Sequence, residues 1–318
     1  MFKQEGYSIG DAWYFVQGDV VHLFCLFAPV GKTWDIGHMV SHDLRTWENV
    51  GLALRKGADG SWDDLRLATG SIIEHEGKYW MAYTGHHSGD DPMVQRVGMA
   101  YSADLYRWEK IPENPITEAS AGYYELMATG KRVKIHWRDP FLLKTEEGVL
   151  QLVSARRNDG EVSSRGTVGV AKTNDMHNWK ILPPLGHDRI AEEMEVPQVY
   201  CINGLYYLVF CTLSGQKTLP DLLAPAFKQR FPNHQFRCAD YSMVGRSPFG
   251  PYYIHGSGEI LPEAPAPWFY ASQLVNFNDE WFLLGTGRDE KGSWISNPYP
   301  VTADDTGIHV PPSAIRNG

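Results

Sequence analysis

Cysteine is scarce in this chain: Cys25, Cys201, Cys211 and Cys238, with no Cys-x-x-Cys spacing. Neither a zinc site nor a disulfide framework is expected, and the thiols read as buried and reduced, in or beside apolar runs. Basic runs are absent as well. Lys plus Arg is 29 against Asp plus Glu 38, a net charge of −9. That balance argues against a nucleic-acid binder, whose affinity depends on neutralising phosphates. No apolar stretch approaches the ~20 residues needed to span a bilayer. The opening MFKQEGYSIGDAW lacks the apolar core of a signal peptide. The expectation is a cytoplasmic protein without a membrane or nucleic-acid partner. Helical periodicity is nearly missing, and only LPDLLAPAFKQRF (219–231) reads as a short helix.

What the chain has instead is aromatic mass, with 11 Trp, 16 Tyr and 13 Phe. Its 318 residues are 43% hydrophobic, enough for a sizeable core. Short apolar runs recur after a turn residue: GDVVHLFCLF (18–27), GKYWMAYTG (77–85), GVLQLVSAR (148–156), GLYYLVFCT (204–212) and DEWFLLGTG (279–287). β-branched and aromatic residues bounded by Gly or Asp are a strand signature. The runs start 59, 71, 56 and 75 residues apart, so the chain has a period.

A second motif follows three of these runs: SHDLRTWENV (41–50), SADLYRWEKI (102–111) and TNDMHNWKIL (173–182). Asp43, Asp104 and Asp175 each precede a Trp by four residues (Trp47, Trp108, Trp179). The reading is a turn capped by Asp, with Trp filling the gap between neighbouring units. RSPFGPY (246–252) takes that place in the fourth unit. These carboxylates are assigned to structure, not to catalysis.

Five such units account for the chain, each with room for about four short strands. The expected fold is all-β: a five-bladed β-propeller of four-stranded antiparallel sheets, forming a single domain over 1–318. A β-sandwich would not explain the self-similarity.

In a propeller the first strand of each blade lines a central channel. The segments preceding each apolar run are IGDAWYF (9–15), ATGSIIEH (68–75), HWRDPFLL (136–143), MEVPQVY (194–200) and YASQLVNF (270–277). Three carry an acid at the corresponding place: Asp11, Asp139 and Glu195. Converging carboxyls raise one another's pKa, and function is the usual reason to tolerate them. A carboxylate paired with a carboxylic acid of raised pKa is the equipment of a glycosidase.

These segments resemble the five-bladed propeller glycosidases, glycoside hydrolase families 32, 43 and 68, and most of all family 32, the β-fructofuranosidases. WRDPFLL (137–143) is similar to that family's Arg-Asp-Pro motif, and MEVPQV (194–199) to its Glu-Cys-Pro motif with Val196 in place of Cys. ATGS (68–71) is similar to Phe-Ser-Gly-Ser, and IGHMVSHDLRTWENV (36–50) to Gly-His-Ala-x-Ser-x-Asp-Leu-x-x-Trp. The family's Trp-Met-Asn-Asp-Pro-Asn-Gly reads Ser8-Ile9-Gly10-Asp11-Ala12-Trp13 here, and no C-terminal β-sandwich follows. The resemblance implies Asp11 as nucleophile, Asp139 as transition-state stabiliser and Glu195 as general acid/base. Arg138 would orient the carboxylates or bind a sugar hydroxyl.

Further substrate contacts are expected from Ser71 and His86, and from Trp13, Trp34 and Trp62, each of which can stack on a sugar ring or pack in the core. His38, His87, Arg156 and Arg157 are weaker candidates for the cleft. No metal or other cofactor is expected, since no ligand spacing demands one. The functional expectation is a hydrolase of carbohydrate metabolism that cleaves a terminal furanoside, foremost a β-fructofuranoside, in small oligosaccharides. A family-43-like inverting arabinofuranosidase or xylosidase is one rival. A non-catalytic sugar-binding propeller is another.

Overall fold

Tight hairpins set the architecture. Three of the turns place two successive residues at positive φ: Glu76–Gly77 (51°, 74°), Asn203–Gly204 (51°, 80°) and Asn278–Asp279 (54°, 62°). That is the type I′ geometry, whose twist matches the flanking strands. In this computed structural model, which describes residues 1–126, 134–212, 225–232, 239–261, 269–290 and 292–315, the strands form five small blade sheets in chain order and a separate two-stranded hairpin of Thr302–Asp304 and Gly307–His309.

Blade one is β1 (Tyr7–Gln17), β2 (Val20–Pro29), β3 (Asp35–Ser41) and β4 (Glu48–Leu54). Blade two is β5 (Arg66–His75), β6 (Lys78–His86), β7 (Met93–Ser102) and β8 (Glu109–Lys110), with β9 (Lys134–Ile135) parallel to β7. Blade three is β10 (Trp137–Thr145), β11 (Gly148–Arg156), β12 (Gly166–Thr173) and β13 (Lys180–Leu182). Blade four is β14 (Glu195–Ile202), β15 (Leu205–Thr212), β16 (Ala239–Gly245) and β17 (Tyr252–Tyr253). Blade five is β18 (Phe269–Phe277) and β19 (Glu280–Asp289), with the short β20 (Gly292–Ile295) and β21 (Tyr299–Pro300) both on β19. The ring closes where Phe2 exchanges both backbone hydrogen bonds with Ile295. The all-β propeller expected from the period is the fold observed.

The recurring apolar runs are the second strands. β2, β11 and β15 are buried along nearly their whole length, because both faces pack against neighbouring blades. Outer strands such as β4 and β13 carry the exposed residues. The core is therefore a set of wedges between blades. Trp13, Phe24 and Ile36 of blade one meet Ile72, Met81 and Tyr83 of blade two. Trp80 and Met99 meet Trp137 and Val153 across the next gap.

The Asp–Trp motif is a cap, as its sequence indicates. Asp43 Oδ1 accepts the Arg45 and Thr46 N–H groups at 2.8 and 2.7 Å, while Ser41 Oγ accepts those of Asp43 and Leu44. Asp104 with Ser102, and Asp175 with Thr173, repeat the arrangement. In each turn the apolar residue after Asp (Leu44, Leu105, Met176) is buried at positive φ. Left-handed backbone costs roughly 1–2 kcal/mol per residue, and the hydrogen bonds and burial offset it. The Trp108 and Trp179 indoles donate to Leu105 O and Met176 O. The fourth unit makes a different turn, with Ser247 accepting from Phe249 and Gly250.

Of the expected helix, Pro225–Arg230 is helical, and residues 219–224 lie outside the described residues. Cys25 and Cys211 are buried thiols as expected, but Cys201 is exposed, because strand alternation turns it outward from β14. Cys238 lies outside the described residues. Among the described residues no helix is long and apolar enough to cross a membrane.

Candidate active site

Each first strand slips register once: between Ile9 and Ala12, Ala68 and Gly70, Arg138 and Phe141, Glu195 and Gln198, Tyr270 and Gln273. A bulge of this kind re-aims side chains next to a site. Aligned on the bulge, the three acids occupy successive positions, not one. Glu195 shares its place with Arg138 and Tyr270, Asp139 with Val196 and Ala271, and Asp11 with Pro140, Pro197 and Ser272. Asp139, Val196 and Ala271 sit at φ 56°, 49° and 52°. Such strain, of order 1–3 kcal/mol each, concentrates at functional sites.

The bulges are tied to one another across the blades. Thr69 Oγ1 donates to Asp11 Oδ2 at 2.5 Å. The Asp139 N–H donates to Thr84 Oγ1 at 2.9 Å, and Asp139 Oδ2 accepts the Val196 N–H at 3.2 Å. Asp240, on β16, accepts both the Ser272 N–H and its hydroxyl, at 3.1 and 2.5 Å. Arg138 is the hub. Its Nε lies 3.3 Å from Asp139, and its Nη2 lies 2.5 Å from Glu195 and 2.9 Å from Glu193. Nη1 contacts His136 Nδ1 and Gln95 Oε1. The Tyr270 hydroxyl donates to the other Glu195 oxygen.

These side chains enclose a cavity of about 180 Å³, lined by Asp11, Leu26, Trp34, Arg66, Ala68, Thr69, His86, Gln95, Lys134, Arg138, Asp139, Glu195, Val196 and Tyr270. Asp11, Trp34 and Tyr270 also border a larger cleft of about 1100 Å³ between the N-terminal segment and blade five. Burial pushes the Asp139 carboxyl up to about 7; Arg138 opposes the shift, and the charges of Asp11 and Glu195 add to it. Burial also raises Asp11, against the hydrogen bond from Thr69. Asp240 reaches about 7, again through burial, with its two Ser272 bonds opposing. Arg138 stays above its ordinary value because, although burial disfavours its charge, Glu195 and Asp139 hold it. His86 falls to about 3 through burial and the neighbouring Arg66, Arg138 and Lys134, so it is neutral. Among the described residues no three His, Cys, Asp or Glu side chains are grouped to hold a metal ion.

The structure thus brings Asp11, Asp139, Glu195, Arg138, Trp34 and His86 to one pocket. Three expected contacts are elsewhere. Trp13 is buried against Phe24 in the wedge between blades one and two, because bulged β1 turns it away from the channel. Trp62 packs on Tyr83 and over Gly85 and Gly98. Ser71 is buried between blades, its hydroxyl accepting the Leu142 N–H. Arg156 pairs with Glu125 and Glu192 beneath the surface, and Arg157 with Asp159. His87 ties down Asp64, and His38 stacks on Phe24 inside blade one. Tyr270, Gln95, Arg66 and Lys134 were not expected as pocket residues. Of these Tyr270 had a signal: aligned on the bulge, it stands where Arg138 and Glu195 stand.

The description "Glycosyl hydrolases family 32 N-terminal domain" matches residues 13–254, about three quarters of the chain. The chain belongs to glycosyl hydrolase family 32. That decides between the families weighed from sequence in favour of family 32. The match begins two residues after Asp11 and so does not include that carboxylate. A sucrose-6-phosphate hydrolase of Lactococcus lactis is 27% identical over 292 residues, covering 88% of this chain and 54% of the relative. One from Pediococcus pentosaceus is 24% identical, covering 89% and 52%. The chain spans about half the length of the curated relatives it matches. Among solved structures, a Bacillus subtilis levansucrase mutant superposes with a TM-score of 0.76 at 14% identity, covering 98% of this chain and 87% of that one. A Bombyx mori family 32 β-fructofuranosidase in complex with sucrose gives 0.69 at 18%, covering 96% and 64%. At those identities the likeness is one of fold, shared by family 32 and its structural neighbours.

Proposed function

We propose that this chain hydrolyses terminal β-fructofuranosides in small saccharides such as sucrose or a phosphorylated form of it. The observation that carries the reading is the meeting of Asp11, Asp139 and Glu195, from three blades, in a cavity sized for one sugar ring. Family membership and the names of the relatives support it. In this reading the Asp11 carboxylate attacks the anomeric carbon. Glu195 gives its proton to the departing glycosidic oxygen, and that C–O bond breaks. Water, deprotonated by Glu195, then displaces Asp11 and releases the sugar. Asp139 and Arg138 hold the ring's hydroxyls and fix Glu195.

A small pocket favours removal of one terminal unit, and we take residues 1–318 as a single catalytic unit. The test is a screen of sucrose, sucrose 6-phosphate, inulin, levan and aryl arabinofuranosides, with product analysis over time. Release of fructose from the shortest chains first is expected. Cleavage of arabinofuranosides alone, internal cuts in long chains, or sugar binding without cleavage would each overturn the reading.

A further inference from the structure

The pocket is electrically lopsided. Its carboxylates come from blades one, three and four, and Arg138 pairs with Asp139, Glu193 and Glu195. The blade-two wall carries the opposite sign. Arg66 opens β5 and faces His86 across the ladder, and Lys134 stands on the adjoining β9. Among the described residues no carboxylate pairs with Arg66. Among the described residues its buried Nε finds no hydrogen-bond acceptor, and its Nη2 meets the Met93 sulfur at 3.9 Å. Burial disfavours its charge and lowers its pKa. A guanidinium held this way forgoes charge-assisted bonds that planar oxyanions supply well. Structure does not require the arrangement, because a neutral side chain would fill the same space without the desolvation of a charge.

We propose that Arg66 is a specificity-determining residue that receives an anionic substituent, a phosphate ester, carried by the glycoside whose furanosyl bond is cleaved at Asp11. The inference rests on the glycosidase reading above. The polarity of the pocket fits such a substrate at both ends. Positive charge develops at the anomeric centre in the transition state, beside the carboxylates. The phosphate lies against the cationic wall. His86, being neutral, adds no charge of its own beside Arg66.

The experiment compares two substrate pairs: sucrose with sucrose 6-phosphate, and an aryl β-fructofuranoside with its furanosyl 6-phosphate. At least one phosphorylated member should have a kcat/KM about 10- to 100-fold above its neutral partner, the range of one charge-assisted hydrogen bond. Preference in the first pair puts the phosphate on the leaving sugar; preference in the second puts it on the furanose. Arg66→Gln should collapse the ratio, and Arg66→Lys should restore part of it, which a merely structural role for Arg66 would not do. In parallel, calorimetry with inorganic phosphate should show binding to the wild type that Arg66→Gln abolishes, with the variant's melting curve checking its fold. Neutral substrates cleaved with no preference in either pair, or a preference that survives Arg66→Gln, overturns the inference and leaves the glycosidase reading intact. Phosphate binding lost in Arg66→Gln, with no furanoside cleaved, overturns the glycosidase reading and keeps the anion site.

Discussion

The carboxylate of Asp139 accepts the backbone N–H of Val196 at 3.2 Å, across the gap between blades three and four. Val196 is a β-branched residue at φ 49°, a conformation such residues rarely adopt. The bond and the strain belong together: the bulge turns the Val196 N–H toward Asp139 and sets Glu195 beside Arg138. One contact thus links the position of two of the three acids.

That link bears on pH. Asp139 titrates near 7 in the folded chain against roughly 3.9 unfolded. The folded state therefore binds more protons between those values, and stability falls as pH rises from about 4 to about 7. Asp139→Asn keeps an acceptor for Val196 and removes the buried charge. Its melting temperature relative to wild type should be higher at pH 8 than at pH 5, with turnover strongly reduced. A pH-independent difference would show that Asp139 is ionised in the folded state throughout.

Glu195→Gln preserves shape but donates no proton. Turnover of sucrose should fall by about 10²–10⁴, and that of an activated aryl fructofuranoside far less. Equal losses on both would move the acid to Glu193, which shares the Arg138 contact.

Asp11→Asn retains hydrogen bonding but not nucleophilicity. It should lose nearly all turnover while still binding substrate, measured by calorimetry with a fructo-oligosaccharide. Undiminished turnover would remove the nucleophile assignment.

The two tryptophans separate packing from binding. Trp13→Ala should destabilise by about 3–5 kcal/mol, the cost of a large buried cavity. Trp34→Ala, at the half-buried pocket wall, should mainly raise KM. Denaturant unfolding and steady-state kinetics on both variants check the distinction.

The repeat caps should behave as structure. Asp43→Ala should lower stability by about 1 kcal/mol at neutral pH and spare turnover of the folded enzyme. The Thr46 backbone N–H, helped by that of Arg45, holds the Asp43 carboxyl down to about 2. Its contribution is present above roughly pH 4, the unfolded value, and fades as pH falls toward 2. The wild-type and variant unfolding curves should converge over that window.

The sequence by itself determined the fold and singled out three acids that line one pocket. Both repeat or sit in ordered motifs: the apolar runs become second strands because a period-bearing segment buried on both faces must be apolar throughout, and the Ser-x-Asp-Leu caps read directly because their hydrogen bonds are local. Arg-Asp-Pro and Glu-Val-Pro announced Arg138, Asp139 and Glu195 for the same reason. Only the tertiary structure decided which aromatics face the pocket and which residues surround the acids. Trp13 and Trp34 look alike in a string, but a one-residue bulge in β1 reverses facing along a strand of period two, and Trp13 goes into the wedge. Tyr270, Gln95 and Arg66 reach the pocket from three different strands. Arg66 and Gln95 meet through strand pairing within blade two, whereas Tyr270 joins them from blade five through the packing of the ring, which is written in no single segment.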